Sequence, residues 1–135
     1  MAPDRIWRNR AGKIVILDSS AILMLFEYSI NLDSELTRLL GKYHIIIPRQ
    51  IIEELKILQE KGKGKKKQNA KPALKLIKNY KAVSIEAKNA DDAIVNLAQK
   101  TNGIVVTNDQ ELRDRIKKFS LKIIYLRGKN KLEII

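Results

Sequence analysis

Short apolar, β-branched runs alternate with helix-periodic segments from Lys13 to the C-terminus, and this alternation limits the fold more than any other feature. Ile14, Val15, Ile16 and Leu17 follow one another without polar interruption, as in a strand covered on both faces. Residues 44–47 and 104–107 repeat the pattern, residues 122–125 follow it, and residues 82–85 form a weaker version. Between them lie segments of helical period: 20–28 with Ser19 or Ser20 as cap, 33–41 stopped by Gly41, 49–60, 70–80, 91–102 stopped by Gly103, and 110–118. Residues 131–135 are left as an edge strand or a tail. Strand–helix alternation of this kind predicts βαβ units: an α/β fold, a three-layer α/β/α sandwich around a mostly parallel sheet of about five strands.

The 135 residues are expected to form one domain, 1–135, with a single core. Residues 61–67, Lys-Gly-Lys-Gly-Lys-Lys-Lys, read as a mobile basic loop, since glycine loosens the chain and like charges repel. No cysteine is present, which excludes disulfides, thiolate metal sites and cysteine nucleophiles, and the single His44 excludes a multi-histidine metal site. No apolar run approaches the roughly 20 residues of a membrane span, and residues 1–13 lack the apolar stretch of a signal peptide. A soluble, cytoplasmic protein without membrane contact is the expectation. Lys and Arg number 27 against 15 Asp and Glu, a net charge of +12 that favours a polyanion such as nucleic acid as partner, although solubility alone is a sufficient reason for it.

Against that positive background, four acids stand at the ends of apolar runs or near helix starts: Asp18, Glu54, Asp91 and Asp109. Ligands of parallel α/β sheets bind beyond the carboxyl ends of the strands. Carboxylates gathered there would bind one or two Mg²⁺ or Mn²⁺ ions through hard oxygen donors, the equipment of a metal-dependent nuclease. Each acid also has a purely structural explanation. Asp18 and Asp109 suit helix caps, Glu54 suits a helix surface, and the Asp91–Asp92 doublet suits the positive end of a helix dipole. Asp91, Ile94 and Ala98 nevertheless share one helical face, while Asp92 would turn outward or flank the metal. Ser20, Thr107 and Asn108 supply supporting polar groups beside Asp18 and Asp109. Lys61, Lys63, Lys65, Lys66 and Lys67 are candidate phosphate contacts, as are Arg113 and Arg115, which could instead pair with Glu111 and Asp114. The aromatics, including Trp7, Tyr28 and Tyr43, show no spacing that builds a base-stacking platform. Leu23, Met24 and Phe26 fit either an apolar dimer face or ordinary core, the latter preferred.

At these residues the sequence resembles the PIN-domain ribonuclease family. The matching motifs are Asp18-Ser19-Ser20-Ala21-Ile22-Leu23, Pro48-x-x-Ile51-x-x-Glu54-Leu55, Asp91-x-x-Ile94-x-x-x-Ala98 and Thr107-x-Asp109-x-x-Leu112. Each is short; their order and spacing across roughly residues 13 to 127 are fairly specific. The resemblance implies Mg²⁺- or Mn²⁺-dependent RNA hydrolysis by a water nucleophile. Asp18, Glu54 and Asp91 match the family's core acids, Asp109 its usual fourth, and Ser20 its small polar residue; the doublet leaves Asp91 or Asp92 as the ligand. Two branches compete. Residues 90–94, 106–116 and 124–127 look like the branch tied to small-subunit ribosomal RNA processing, which makes RNA processing, with a ribosome-assembly partner, the main expectation. VapC-type toxins, which pair with an antitoxin, share the same acids. A homodimer is a further implication of the resemblance. A non-catalytic basic RNA-binding protein is the reading from a different class. An aspartyl phosphatase is disfavoured, since no Asp stands two residues after Asp18.

Overall fold

Every residue of the first strand after Lys13 is buried, although successive side chains point to opposite faces of a sheet, so this strand must be covered on both sides. The computed structural model describes residues 12–135; Trp7 and nearly all of the polar N-terminal segment lie outside the described residues. The strands are β1 (Lys13–Leu17), β2 (Tyr43–Pro48), β3 (Lys81–Val83), β4 (Ile104–Val106), β5 (Ile123–Arg127) and β6 (Lys131–Ile134). The helices are α1 (Ser19–Glu27), α2 (Leu32–Leu40), α3 (Arg49–Lys61), α4 (Gly64–Ile77), α5 (Ala90–Thr101) and α6 (Gln110–Lys117). The sheet runs β3-β2-β1-β4-β5-β6, all pairs parallel except β5–β6. Expected strands and helices are thus present, and the α/β class with helices flanking a mostly parallel sheet is confirmed.

One open alternative is decided and one expectation corrected. Residues 131–134, an edge strand or a tail by sequence, pair antiparallel with β5 and bring the sheet to six strands. The docking of β6 is fixed from α2: Glu35 accepts a hydrogen bond from the Leu132 backbone N–H at 2.8 Å, and Arg38 donates to the Leu132 carbonyl at 2.7 Å. Residues 61–67 are not a loop. Lys61 ends α3, Gly62 and Lys63 make the turn, and Gly64–Lys67 already belong to α4. Lysine is a good helix former. The three alanine-sized or aliphatic residues Ala70, Ala73 and Ile77 bury one face of α4, so tertiary packing carries the helix back through the lysine run.

The chain proceeds outward from β1 to β2 and β3, then returns to place β4 on the other side of β1. That reversal makes the carboxyl ends of β1 and β4 the topological switch point, where an open parallel sheet leaves a crevice. The β1–β4 register sets Leu17 beside Val106, so the next residues, Asp18 and Thr107, leave the sheet side by side. At the other end of β4, Gly103 allows a close approach: a Cβ there would lie 2.9 Å from Thr101 Oγ1 and 3.0 Å from Ile16 Cδ1. The left-handed residue that ends α5 is Asn102, φ 56°, not the glycine. Among the described residues no helix is long and apolar enough to cross a membrane.

Candidate active site

Asp18 is built in by both of its roles. Its side chain caps α1, accepting from Ala21 N–H at 2.8 Å, in place of the expected cap at Ser19 or Ser20. It also accepts from Ser20 Oγ at 2.9 Å and from Thr107 Oγ1 at 2.6 Å. Only 5% of Asp18 is exposed, and desolvation pushes its carboxyl up from 3.8 to about 6, against the pull of the Thr107, Ala21 and Ser20 hydrogen bonds; the Asp91 charge adds to the rise. Thr107 in turn accepts from the Asp109 backbone N–H at 3.0 Å, which ties the start of α6 to the same point. Asp109 caps α6 through Leu112 N–H at 3.2 Å.

Glu54 lies half-buried on the second turn of α3, next to buried Leu55. Ser19 donates to Glu54 Oε1, so the first residue of α1 reaches across to α3. Its neighbour Glu53 turns to solvent and pairs with Lys56 at 3.5 Å. Asp91 stands in the first turn of α5, whose cap is Asn89. Its carboxyl is held above the usual range by desolvation, then by the charges of Asp109 and Glu54. Asp91 therefore feels Asp18, Glu54 and Asp109, and the four acids come from four different elements or their ends. Asp92 points elsewhere: Arg115 Nη2 donates to it at 2.8 Å. Among the described residues Asp91 has no such hydrogen-bonded ion pair, although the Arg115 charge also acts on it and partly offsets its acidic neighbours.

The remaining candidates divide. Asn108 is committed, its Oδ1 accepting from Leu126 N–H at 2.8 Å and its Nδ2 meeting Met24 Sδ at 3.1 Å. Arg115 pairs with Asp92 rather than with Glu111 or Asp114. Arg113 stacks on Tyr125, its guanidinium carbon 4.6 Å from the ring centroid. Lys63, Lys65 and Lys66 line one cleft together with Ser20 and Glu54, whereas Lys61 and Lys67 do not. Met24 is buried, and Leu23 and Phe26 pack against the core, consistent with the core reading of that trio. The bond from Ser19 to Glu54 was missed in the sequence, where nothing signals a contact 35 positions away.

The donors are all oxygen, which suits a hard divalent cation. Among the described residues no three His, Asp or Glu side chains already form a closed metal cage. The fit rests instead on chemistry and field: burial first, and then the charge of neighbouring acids, hold Asp18 and Asp91 above the ordinary carboxylate range, which a cation would relieve.

Comparison with known proteins places the chain. Residues 15–129 match the model of the PIN like domain. Ribonuclease VapC4 of Methanocaldococcus jannaschii is 38% identical over 124 residues, covering 89% of this chain and 95% of that protein. Ribonuclease VapC9 of Archaeoglobus fulgidus is 27% identical over 120 residues, covering 89% and 87%. In structure, the PIN domain endonuclease Utp24 superposes with a TM-score of 0.74 at 23% identity over 90% of each chain. VapBC2 from Rickettsia felis, bound to a DNA fragment from their promoter, superposes at 0.60 and 18% identity, covering 84% of this chain and 99% of that one. By the family model and by a relative of this similarity, the chain belongs to the PIN-domain family.

Proposed function

We propose that this protein is a metal-dependent endoribonuclease of the VapC kind, the toxin of a toxin–antitoxin pair. The carrying observation is the buried Asp18 at the β1–β4 switch point, held by Ser20 and Thr107, with Asp91 close enough to Asp109 and Glu54 for their charges to act on it. The resemblance of residues 90–94, 106–116 and 124–127 to ribosomal-RNA-processing enzymes points to processing instead. The relative at 38% identity is a Ribonuclease VapC4, whereas likeness to Utp24 rests on fold at 23% identity, so the toxin reading has the better support.

Asp18, Glu54, Asp91 and Asp109 are the residues that would hold Mg²⁺ or Mn²⁺, with Asp92 at the flank. When bound, such an ion activates water at neutral pH and offsets charge developing on the phosphodiester oxygens. The chain's own groups do the positioning. Ser20 and Thr107 hold the Asp18 carboxylate in one orientation, and Ser19 holds Glu54. Arg115 draws Asp92 aside. Cation uptake must displace the proton that burial favours on Asp18, so binding weakens as pH falls below about 6. The lysines lining the adjacent cleft offset the phosphates of the incoming strand.

Two assays test this. Purified protein is incubated with single-stranded and structured RNA in Mn²⁺ or EDTA, beside an Asp18→Asn control. Cleavage that requires metal and Asp18 is expected; none beyond the control would leave a non-catalytic RNA binder. Expressed alone, the wild type should arrest growth and Asp18→Asn should not. Cleavage in vitro without growth arrest would return the processing role to first place.

A further inference from the structure

A second feature adjoins the acids. Beside Ser19, Ser20 and Glu54 opens a cleft of about 860 Å³ between α1 and the α3–α4 turn. That volume lies in the range of small-molecule sites, roughly 300–1,000 Å³. Leu23, Met24 and Leu58 make it apolar. Met24 is held in place by Asn108, itself fixed by the Leu126 N–H, so this part of the lining is preformed. Tyr28, just past the end of α1, lines the same cleft and keeps 38% of its surface exposed. Lys63, Lys65 and Lys66 line it with exposed side chains, and half-buried Asn69 brings an amide.

We propose that this cleft seats one unpaired nucleotide of the RNA strand, next to the phosphodiester presented to the acids. The base lies against Tyr28 over the Leu23–Met24–Leu58 surface. Asn69 meets the base edge, having both a donor and an acceptor to offer. Lys63, Lys65 and Lys66 take the phosphates on either side. The combination of an aromatic, an apolar bed and cations is what a single-stranded nucleotide uses and what a duplex cannot, because paired bases hide their faces in the stack. An anionic strand also answers the charge of the lysine side, which an apolar protein segment would leave unmatched. The proposal rests on the ribonuclease reading for its ligand and extends it: single-strand selectivity would come from Tyr28, not from the acids. Sequence spacing could not reveal the platform, since Tyr28, Leu58 and Lys63–Asn69 belong to separate segments.

The test is fluorescence anisotropy with a labelled single-stranded RNA oligomer and an RNA duplex of equal length, both in EDTA. Tyr28→Ala should weaken single-strand binding roughly 5- to 150-fold, the range for removing one stacked base. Tyr28→Phe should bind as the wild type does, and duplex affinity should not change. Replacing Lys63, Lys65 and Lys66 with Gln should reduce the log–log salt slope by about 0.7 for each phosphate no longer neutralised. Single-strand affinity unchanged in Tyr28→Ala overturns the proposal and leaves the cleft to a protein segment. Equal weakening on both RNAs overturns it as well, since stacking cannot then be the cause. Because EDTA removes catalysis, Tyr28-dependent binding without any metal-dependent cleavage would refute only the ribonuclease reading. Cleavage with Tyr28 dispensable would refute only the subsite.

Discussion

Replacing Asp18 with asparagine should make the metal-free protein more stable at neutral pH, although it removes a residue at the centre of the site. Burial raises the Asp18 carboxyl from 3.8 to about 6, so the folded state holds its proton more tightly than the unfolded chain does. Between about pH 4 and 6 the folded state therefore binds more protons, and stability falls as pH rises through that window. At pH 7.5 the ionised carboxylate costs the fold about 3 kcal/mol, at 1.36 kcal/mol per pKa unit. Asparagine carries no charge and escapes this cost. It keeps a carbonyl for the Ala21 N–H but turns an NH₂ toward Thr107, whose hydroxyl already accepts from Asp109 N–H. The mismatched hydroxyl gives back about 1–2 kcal/mol. The net expectation in EDTA at pH 7.5 is a gain of about 1–2 kcal/mol. At pH 4 wild-type Asp18 is protonated, the cost has gone, and the variant should be the less stable by about 1 kcal/mol. Urea unfolding at both pH values reads this as a change of sign. A variant less stable at pH 7.5 by the same amount as at pH 4 would refute the claim that desolvation governs Asp18. Saturating Mn²⁺ should stabilise the wild type and not the variant, by about 2.7 kcal/mol at a hundred times its Kd.

Asp91→Asn and Glu54→Gln should each abolish Mn²⁺-dependent cleavage while binding single-stranded RNA in EDTA as the wild type does; normal turnover in either removes that residue from the site. Arg115→Ala should cost under about 1 kcal/mol in stability, because its pair with Asp92 is partly exposed. It should also shift the pH midpoint of Mn²⁺ binding upward, since the Arg115 charge lowers the proton affinity of Asp91; titration calorimetry across pH checks this. Gly103→Ala should lower stability by about 1–3 kcal/mol, because its methyl group meets Thr101 Oγ1 and Ile16 Cδ1 at 3.0 Å or less. A melting temperature equal to that of the wild type would show that the β4 approach relaxes freely.

The strands were legible because each buried one keeps a continuous apolar run, and Asp18 and Asp109 were legible as acids that follow those runs, Glu54 and Asp91 as acids near helix starts. Three things were hidden. Residues 64–67 carry the composition of a loop, and only the buried Ala70, Ala73 and Ile77 further along the same helix make them helical. The choice between edge strand and tail for residues 131–135 turns on Glu35 and Arg38, about a hundred positions earlier in the chain, meeting the Leu132 backbone. Sequence proximity offers Arg115 the acids Glu111 and Asp114, whereas its partner Asp92 lies on another helix. In each case the deciding contact is tertiary, and local pattern carries no trace of it.

The structural and functional explanations of the acids, which compete when read along the chain, are compatible in space. Asp18 caps α1 and Asp109 caps α6, as ordinary turn chemistry requires, and Asp91 sits in the first turn of α5, where the helix dipole favours it. A capping bond occupies one lone pair of a carboxylate that has about four. The same bond fixes the side chain at the carboxyl end of a strand or at the amino end of a helix, which is where the switch point of the sheet opens. Capping is therefore the means by which Asp18 and Asp109 are placed at the site. Helix amino termini offset part of the repulsion among the acids, while the raised proton affinity of Asp18 and Asp91 comes first from burial and only then from neighbouring acids. Asp91 and Glu54 cap nothing: Asp91 stands in the first turn of a helix capped by Asn89, and Glu54, mid-helix on α3, is tethered by the Ser19 hydroxyl.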